Sequence, residues 1–368
     1  MELDQSRQIP MGYDRRWFPF LMRRTVFTLT AFAAFLLVCQ PAARAQDLVF
    51  ERFRDALDAL RSQAGIPGLS ATVVGTNDIA WEAAFGKQDL ERSIVARPDT
   101  PYHLDGITQT FTAMLVLGCF EVNRVSLDDP VGRIVPNAPE PNATIRQLLS
   151  HTAADGVFRY RLDRLNVLSS VLEVCQEPFQ NALAKLFDQQ AMNDSVPGTD
   201  VVQLTPGPYY TESRLSRYNG VLGRLATPYS VDSRGISPSR YATSTLLASR
   251  GVISTTRDVA KFLVGLMRGV GVGARYTSLM WKAAVGPNGQ PLPHGLGWFV
   301  QSYNGETVVW QYGVTDNACS ALIVTVPGRG LSLVLLANSD GLSRAFPLAA
   351  GDSTVSPFGR LFLGSFIK

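Results

Sequence analysis

The sequence predicts an α+β fold: an antiparallel sheet flanked by helices and built from both ends of the chain, with a mostly helical part inserted between them. Three observations predict it. A helical period followed by a hairpin pattern opens the chain after its first 46 residues, strand-like runs joined by a turn signal close it, and helical patterns with loops fill the middle. Strands contributed by both ends around a block of helices argue for one mixed domain with an insert. The boundaries are 46–105 and 250–368 for the α/β part and 106–249 for the helical and loop insert.

From Asp47 to Gln63 the apolar residues Leu48, Phe50, Phe53, Ala56, Leu57 and Leu60 recur at helical spacing with charges between them, which predicts an amphipathic helix ending at Ala64-Gly65. Ser70 to Gly75 and Ile79 to Phe85, separated by Thr76-Asn77-Asp78, read as a β-hairpin. A long apolar and small-residue run predicts a buried helix over Thr108 to Val122, and Ala143 to Phe187 is helical in pattern. Pro197 to Ser239, rich in Pro, Gly, Ser and Tyr without a sustained period, is expected to form surface loops. Thr255-Thr256-Arg257-Asp258 gives a polar start to a helix over Val259 to Met267. Glu306 to Trp310, Ala318 to Val326 and Leu331 to Ala337 are strand-like, the last two joined across Pro327-Gly328-Arg329-Gly330, and Phe358 to Ile367 closes the chain as a helix.

At 368 residues and 46% hydrophobic the chain can bury a sizeable core, and its formal charge of +3, with basic residues scattered, asks for no nucleic-acid partner. The exception is Arg15, Arg16, Arg23 and Arg24, which precede the apolar run Thr25 to Val38 and the small-x-small pattern Ala43-Arg44-Ala45. That order predicts a secretory signal over 1–45 and an exported, periplasmic or secreted protein. An uncleaved anchor would be its only membrane contact, and the run is shorter than the roughly 20 residues of a spanning helix. Cys39 hints at lipidation, but Val38 is bulky where a lipoprotein signal needs a small residue. Beyond the signal stand Cys119, Cys175 and Cys319, an odd number without metal-ligand spacing, expected as buried free thiols.

A series of ordered segments resembles the landmarks of the serine β-lactamase and penicillin-binding-protein family. They are Pro67-Gly68, Asp128-Asp129-Pro130-Val131, Thr144 to Thr152, Arg250 to Asp258, Gly295-Leu296-Gly297-Trp298-Phe299 and Leu335-Leu336-Ala337-Asn338. Such acyl-transfer chemistry needs a serine at a helix start and a lysine one turn on, where the amine takes the hydroxyl proton and the helix N-terminus favours developing negative charge. The family stretch commonly reads like F-R-I-G-S-x-x-K-T-F-T-A. Here Tyr102-His103-Leu104-Asp105-Gly106-Ile107-Thr108-Gln109-Thr110-Phe111-Thr112-Ala113 places Gly106 at the serine and Gln109 at the lysine. Thr108 carries a hydroxyl but lies roughly 200° around the helix from position 106, pointing away.

The resemblance supplies two further elements. Its Y-x-N motif is best matched by Tyr160-Arg161-Leu162, where Tyr160 either keeps a pocket role or is a half-buried loop aromatic, and Leu162 replaces the amide. Its K-T-G or H-x-G strand motif corresponds to Gln311-Tyr312-Gly313, with Gln311 in place of the cation and Gly313 leaving room for a ligand. Tyr160, Gln311 and Gly313 are therefore the candidate ligand-binding residues. By resemblance His151 is structural. With His103 and His294 it makes a weak metal case, and neither metal nor cofactor is expected.

The resulting expectation is an exported family member that keeps the fold, and a pocket for a small-molecule, peptide or cell-wall ligand, without acyl transfer. Two alternatives stay open: an active β-lactamase, carboxypeptidase or esterase using Tyr160, Thr108 or Ser150 as nucleophile, and an envelope binding or scaffold protein using the 197–239 surface.

Overall fold

A computed structural model describes residues 47–123, 126–174, 177–241 and 245–368. The predicted signal over 1–45, with Cys39, and Cys175 lie outside the described residues. A helix over 47–63 (α1) opens the described chain, and Phe53–Lys368 forms one unit. Phe53 and Leu57, one turn apart, are its buried positions, as the helical period requires.

The main sheet has seven antiparallel strands. Three come early, β1 (Gly68–Val74), β2 (Ile79–Asp89) and β3 (Ile94–Val95), and four late, β8 (Phe299–Tyr303), β9 (Glu306–Thr315), β10 (Cys319–Val326) and β11 (Leu331–Ala337). Their order is β3-β2-β1-β11-β10-β9-β8, so the chain's two ends meet where β1 pairs with β11. Every residue of β1 and β10 is buried, so the sheet is covered on both faces at these strands, whose residues are apolar apart from the buried Ser70, Thr72, Ser320 and Thr325. Between the two groups run β4 (Tyr102–His103), α2 (Thr108–Asn123), α3 (Ile145–Leu149), α4 (Leu168–Val174), α5 (Phe179–Gln189), α6 (Glu212–Leu222), the hairpin β5 (Tyr229–Asp232) and β6 (Gly235–Pro238), β7 (Ile253–Ser254), α7 (Thr256–Met267) and α8 (Gly273–Met280). The last helix is α9 (Pro357–Phe366). The α+β class is thus observed. No helix among the described residues is long and apolar enough to cross a membrane.

Several landmark segments owe their residue types to tying elements together. The Asn338 side chain, at the end of β11, accepts from Gly68 N (2.7 Å) and donates to Lys87 O (3.1 Å) and Gln88 O (3.3 Å), joining three strands. Thr255 caps α7 by accepting from Asp258 N, and the buried Asp258 carboxylate receives Asp194 N (2.7 Å) and Ser195 Oγ (3.0 Å) from the middle of the chain. Arg146 grips Asp128 with two hydrogen bonds of 2.7 and 3.0 Å.

Two expectations need correction. Residues 197–239 are not all loop, since α6 and the β5–β6 hairpin lie within them. Only Leu215, Tyr218 and Val221 are buried in α6, a narrow stripe capped by Thr211 that the polar composition hides. Cys119, expected as a free thiol, is disulfide-bonded, whereas Cys319 is a buried free thiol. Pairing needs two Cα atoms to fall within bridging distance, which sequence spacing does not record.

Asn338→Ala leaves Gly68 N, Lys87 O and Gln88 O without their partner. The expected result is a loss of about 2–3 kcal/mol in urea unfolding with an unchanged circular dichroism spectrum; unaltered stability would contradict this joint.

Candidate functional site

Three segments of distant sequence converge at the start of α2. A one-turn 3-10 helix, Asp105–Ile107, leads into α2, whose first two turns, from Thr108 to Ala113, are buried all round. This is why the helix shows no polar face. Thr108 turns away from the site and accepts Val252 N at 3.2 Å. Gln109 is fully buried, one turn after Gly106, and donates to Gly106 O at 3.0 Å.

The second segment is the end of α3. Thr144 and Gln147 form a reciprocal capping box at its start. At its other end Thr152 N reaches Gln147 O (2.9 Å) and His151 N reaches Leu148 O (3.2 Å), the Schellman pattern, with His151 left-handed at φ 53°. That turn throws the His151 ring inward. The chain then folds back through a Thr152–Phe158 bridge, which sets Tyr160 over His151 at 4.5 Å between ring centroids. The third segment is β9, which carries the buried Gln311 and, two residues on, Gly313.

The side chains form a hydrogen-bond chain with one direction. Arg161 N donates to His151 Nδ1 (3.1 Å), which leaves the neutral ring its proton on Nε2 to give to Gln109 Oε1 (2.9 Å). Gln109 Nε2 donates to the Tyr160 hydroxyl (2.8 Å), which donates to Gln311 Oε1 (3.1 Å). Gln311 Oε1 also accepts Tyr312 N (2.9 Å), while its Nε2 gives to Gly297 O (3.2 Å) and points at His294 Nε2 (3.5 Å). The series ends as His294 Nδ1 donates to Gly295 O at 2.8 Å. Every donor finds an acceptor and no member carries a charge.

The position of Gly106 is closed by backbone. A Cβ there would stand 2.7 Å from Tyr312 O, 3.4 Å from Leu162 Cδ1 and 3.5 Å from Gly313 Cα. A Cβ on Gly313 would stand 2.1 Å from Leu104 O and 2.9 Å from Gly106 N. Two glycines facing each other let β9 lie directly on the helix start. Leu162, at the amide position of the Y-x-N element, lies over the spot a serine side chain would need.

Burial sets the protonation states. The His151 pKa falls well below its ordinary value, first because burial penalises the charged ring and then because His294 and Arg164 lie near. Burial also takes His294 down to about 3 and His103 to about 4. The Tyr160 hydroxyl is pushed well above its usual value by burial and then by Tyr312, itself raised to about 12, so no phenolate forms near neutral pH.

The structure brings Gly106, Gln109, Tyr160, Gln311 and Gly313 together, although they lie up to 207 positions apart (313 − 106). It adds residues that sequence reasoning did not place here: His294, whose ring lies 4.8 Å from that of His151; Tyr312, stacked on Tyr160 at 5.5 Å; and Asp105. The dipeptide His294-Gly295 before Leu296-Gly297-Trp298 was the available signal for the first of these. His103 instead lies against Tyr241, the two rings tilted by 41° with centroids 4.0 Å apart. Among the described residues no three His, Cys, Asp or Glu side chains are grouped to hold a metal ion.

Two measurements follow from this geometry. Gly106→Ser must push β9 or Leu162 aside, so urea unfolding is expected to show a loss of about 1–3 kcal/mol; a serine accepted without cost would mean the site is open. For the buried histidines, the folded pKa lies below the unfolded value of 6.5, so the unfolded chain binds more protons. Stability is then constant above that value and falls as pH drops toward the folded pKa, by up to about 1.4 kcal/mol per pH unit for each histidine. His294→Gln should flatten the slope between pH 6 and 4, roughly; an equal slope in the variant would assign the acid sensitivity elsewhere.

Comparison with known proteins gives concordant results. A family model described as Beta-lactamase matches residues 53–163 and 183–352. The mouse serine beta-lactamase-like protein LACTB, mitochondrial, is 28% identical over 130 residues, 33% of this chain and 23% of that protein. Protein flp of Staphylococcus aureus (strain MW2) is 21% identical over 308 residues, 74% of this chain and 60% of flp. The chain thus spans under two thirds of the length of either relative. The octameric penicillin-binding protein homologue from Pyrococcus abyssi superposes with a TM-score of 0.68 at 18% identity, covering 86% of this chain and 77% of that one. A class C beta lactamase from Rhodobacter sphaeroides gives 0.63 at 17% identity, covering 85% and 98%. At these identities the likeness is one of fold.

Proposed function

The chain belongs to the beta-lactamase family, and from that premise we propose that it is an exported, catalytically silent member that retains the fold without acyl transfer. The observation that carries this reading is the start of α2, where Gly106 faces the Tyr312 backbone and Gln109 is locked between His151 and Tyr160. Nucleophilic catalysis needs an activated group. Removing the nucleophile of a serine hydrolase lowers its rate by about 10⁶-fold. Gln109 can neither accept a hydroxyl proton nor be freed without breaking the chain of neutral hydrogen bonds.

The hydroxyls that could substitute are engaged otherwise. Thr108 binds Val252 N on the far side of the helix. Ser150 Oγ donates to Arg146 O at 2.8 Å and lies 3.0 Å from Thr152 Oγ1, with no base hydrogen-bonded to it among the described residues. Tyr160 is held protonated by burial. Export is supported by the basic and apolar order of residues 15–45 and by the disulfide at Cys119, a bond that persists in oxidising compartments. A small-molecule, peptide or cell-wall ligand, held without a covalent bond, would have to lie outside the closed contact between Gly106 and β9.

Incubation of the purified protein with a fluorescent penicillin, followed by intact-mass measurement, is expected to give no mass increase. A stoichiometric adduct would overturn the silent reading.

A further inference from the structure

Beside the turn that ends α3 lies a cavity separate from the centre. It occupies about 350 Å³ between that turn and the end of α8 with the residues after it, and none of Gly106, Gln109, Tyr160 or Gln311 lines it. Its size falls among small-molecule sites, roughly 300–1,000 Å³. Ser150 and Thr152, on either side of His151, line it and are only 1% and 5% exposed. A Cβ on Gly156 would stand 2.9 Å from Pro287 Cγ, so the turn after Thr152 sits directly on the segment after α8. Leu279, Val285 and Leu296 add apolar wall.

The polar lining is rich in donors and poor in acceptors. No Asp or Glu among the described residues lines the cavity. Arg146 gives Nε and Nη2 to Asp128, which fixes the guanidinium and leaves the Nη1 hydrogens free. Gln147 Oε1 is engaged by Thr144 N, while Nε2 has only a 3.5 Å contact with Ala153 O. Ser150 Oγ donates its one proton to Arg146 O, so the 3.0 Å contact with Thr152 uses the Thr152 proton. Thr152 can turn that proton to a ligand while Ser150 keeps its own bond. The exposed Lys282 makes no side-chain hydrogen bond or ion pair among the described residues. Four donor groups, two of them cationic, with no carboxylate in the lining, suit a ligand that brings acceptors and negative charge. Three of the four are held in place beforehand, by Asp128, the capping box and the Schellman turn, so little ordering is lost on binding.

We propose that this cavity is a binding site for small organic carboxylates. Lys282, Arg146, Gln147 and Thr152 take the carboxylate, and a short apolar body lies against Leu279, Val285 and Leu296. The site gives a ligand a place outside the closed contact at Gly106, and it stands whether or not the centre acylates.

The test is isothermal titration calorimetry at fixed ionic strength with benzoate as the probe, and with inorganic phosphate and benzyl alcohol in parallel. Wild-type protein is expected to bind benzoate saturably with a Kd of about 0.1–1 mM, within reach of a ligand of about nine non-hydrogen atoms. Phosphate, which lacks the apolar body, and benzyl alcohol, which lacks the charge, should each bind at least about tenfold more weakly. Lys282→Ala is expected to weaken benzoate about tenfold and Thr152→Val about fivefold. No saturable benzoate binding overturns the proposal, as does phosphate or benzyl alcohol binding equally well. Because an exposed lysine attracts anions anywhere, wild-type affinity in either variant also overturns it. If Thr152→Val does not fold, Ala283→Leu, which fills the cavity from a half-buried wall position, takes its place. A penicillin adduct on the wild type would overturn the silent reading and leave this titration to judge the cavity.

Discussion

Where β9 crosses the start of α2, backbone meets backbone: Gly313 lies against Leu104 O and Gly106 N, and Tyr312 O lies against Gly106. Much of the site depends on this approach. It leaves no volume for a side chain at 106, it carries Gln311 in to reach Tyr160 and Gly297, and it sets Thr315 beside the Asp105 carboxyl. A close-packed interior does not open a gap for an added methylene without moving its neighbours. Glycine at 106 is therefore a matter of architecture as well as of chemistry.

Neutral groups hold the space that the family fills with charged ones. A buried lysine needs a partner for its charge or a lowered pKa. Glutamine needs only matched donors and acceptors, and His151, Tyr160 and Gly106 supply them. Gln311 follows the same logic, with Gly297 O and His294 replacing an anionic ligand as its partners. Once satisfied in one direction, such a series resists a change at any single member, since the groups on either side would lose their bonds.

Polar side chains at element ends tie together the frame around this centre. Asn338 ties the C-terminal β11 to β1 and β2, and Asp258 ties the start of α7 to residues 194 and 195. Arg146 with Asp128 fixes the turn that precedes α3, and the Schellman turn after α3 aims His151. These segments position the centre through caps and strand joints that are separate from its hydrogen-bond chain.

By itself the sequence determined the α+β class, most of the long elements and the family, because periodicity, turn residues and ordered landmarks are local and linear. It also identified Gly106, Gln109, Tyr160, Gln311 and Gly313 as the residues to examine. Composition hid α6, whose buried stripe is three residues wide, and sequence spacing carried no information on the pairing of Cys119. Only the tertiary structure decided that these residues share one hydrogen-bond chain with His294, that Leu162 covers Gly106, and that Asp105 turns into the protein. The physical reason is that hydrogen-bond direction and excluded volume exist only between segments. No single stretch of residues contains them.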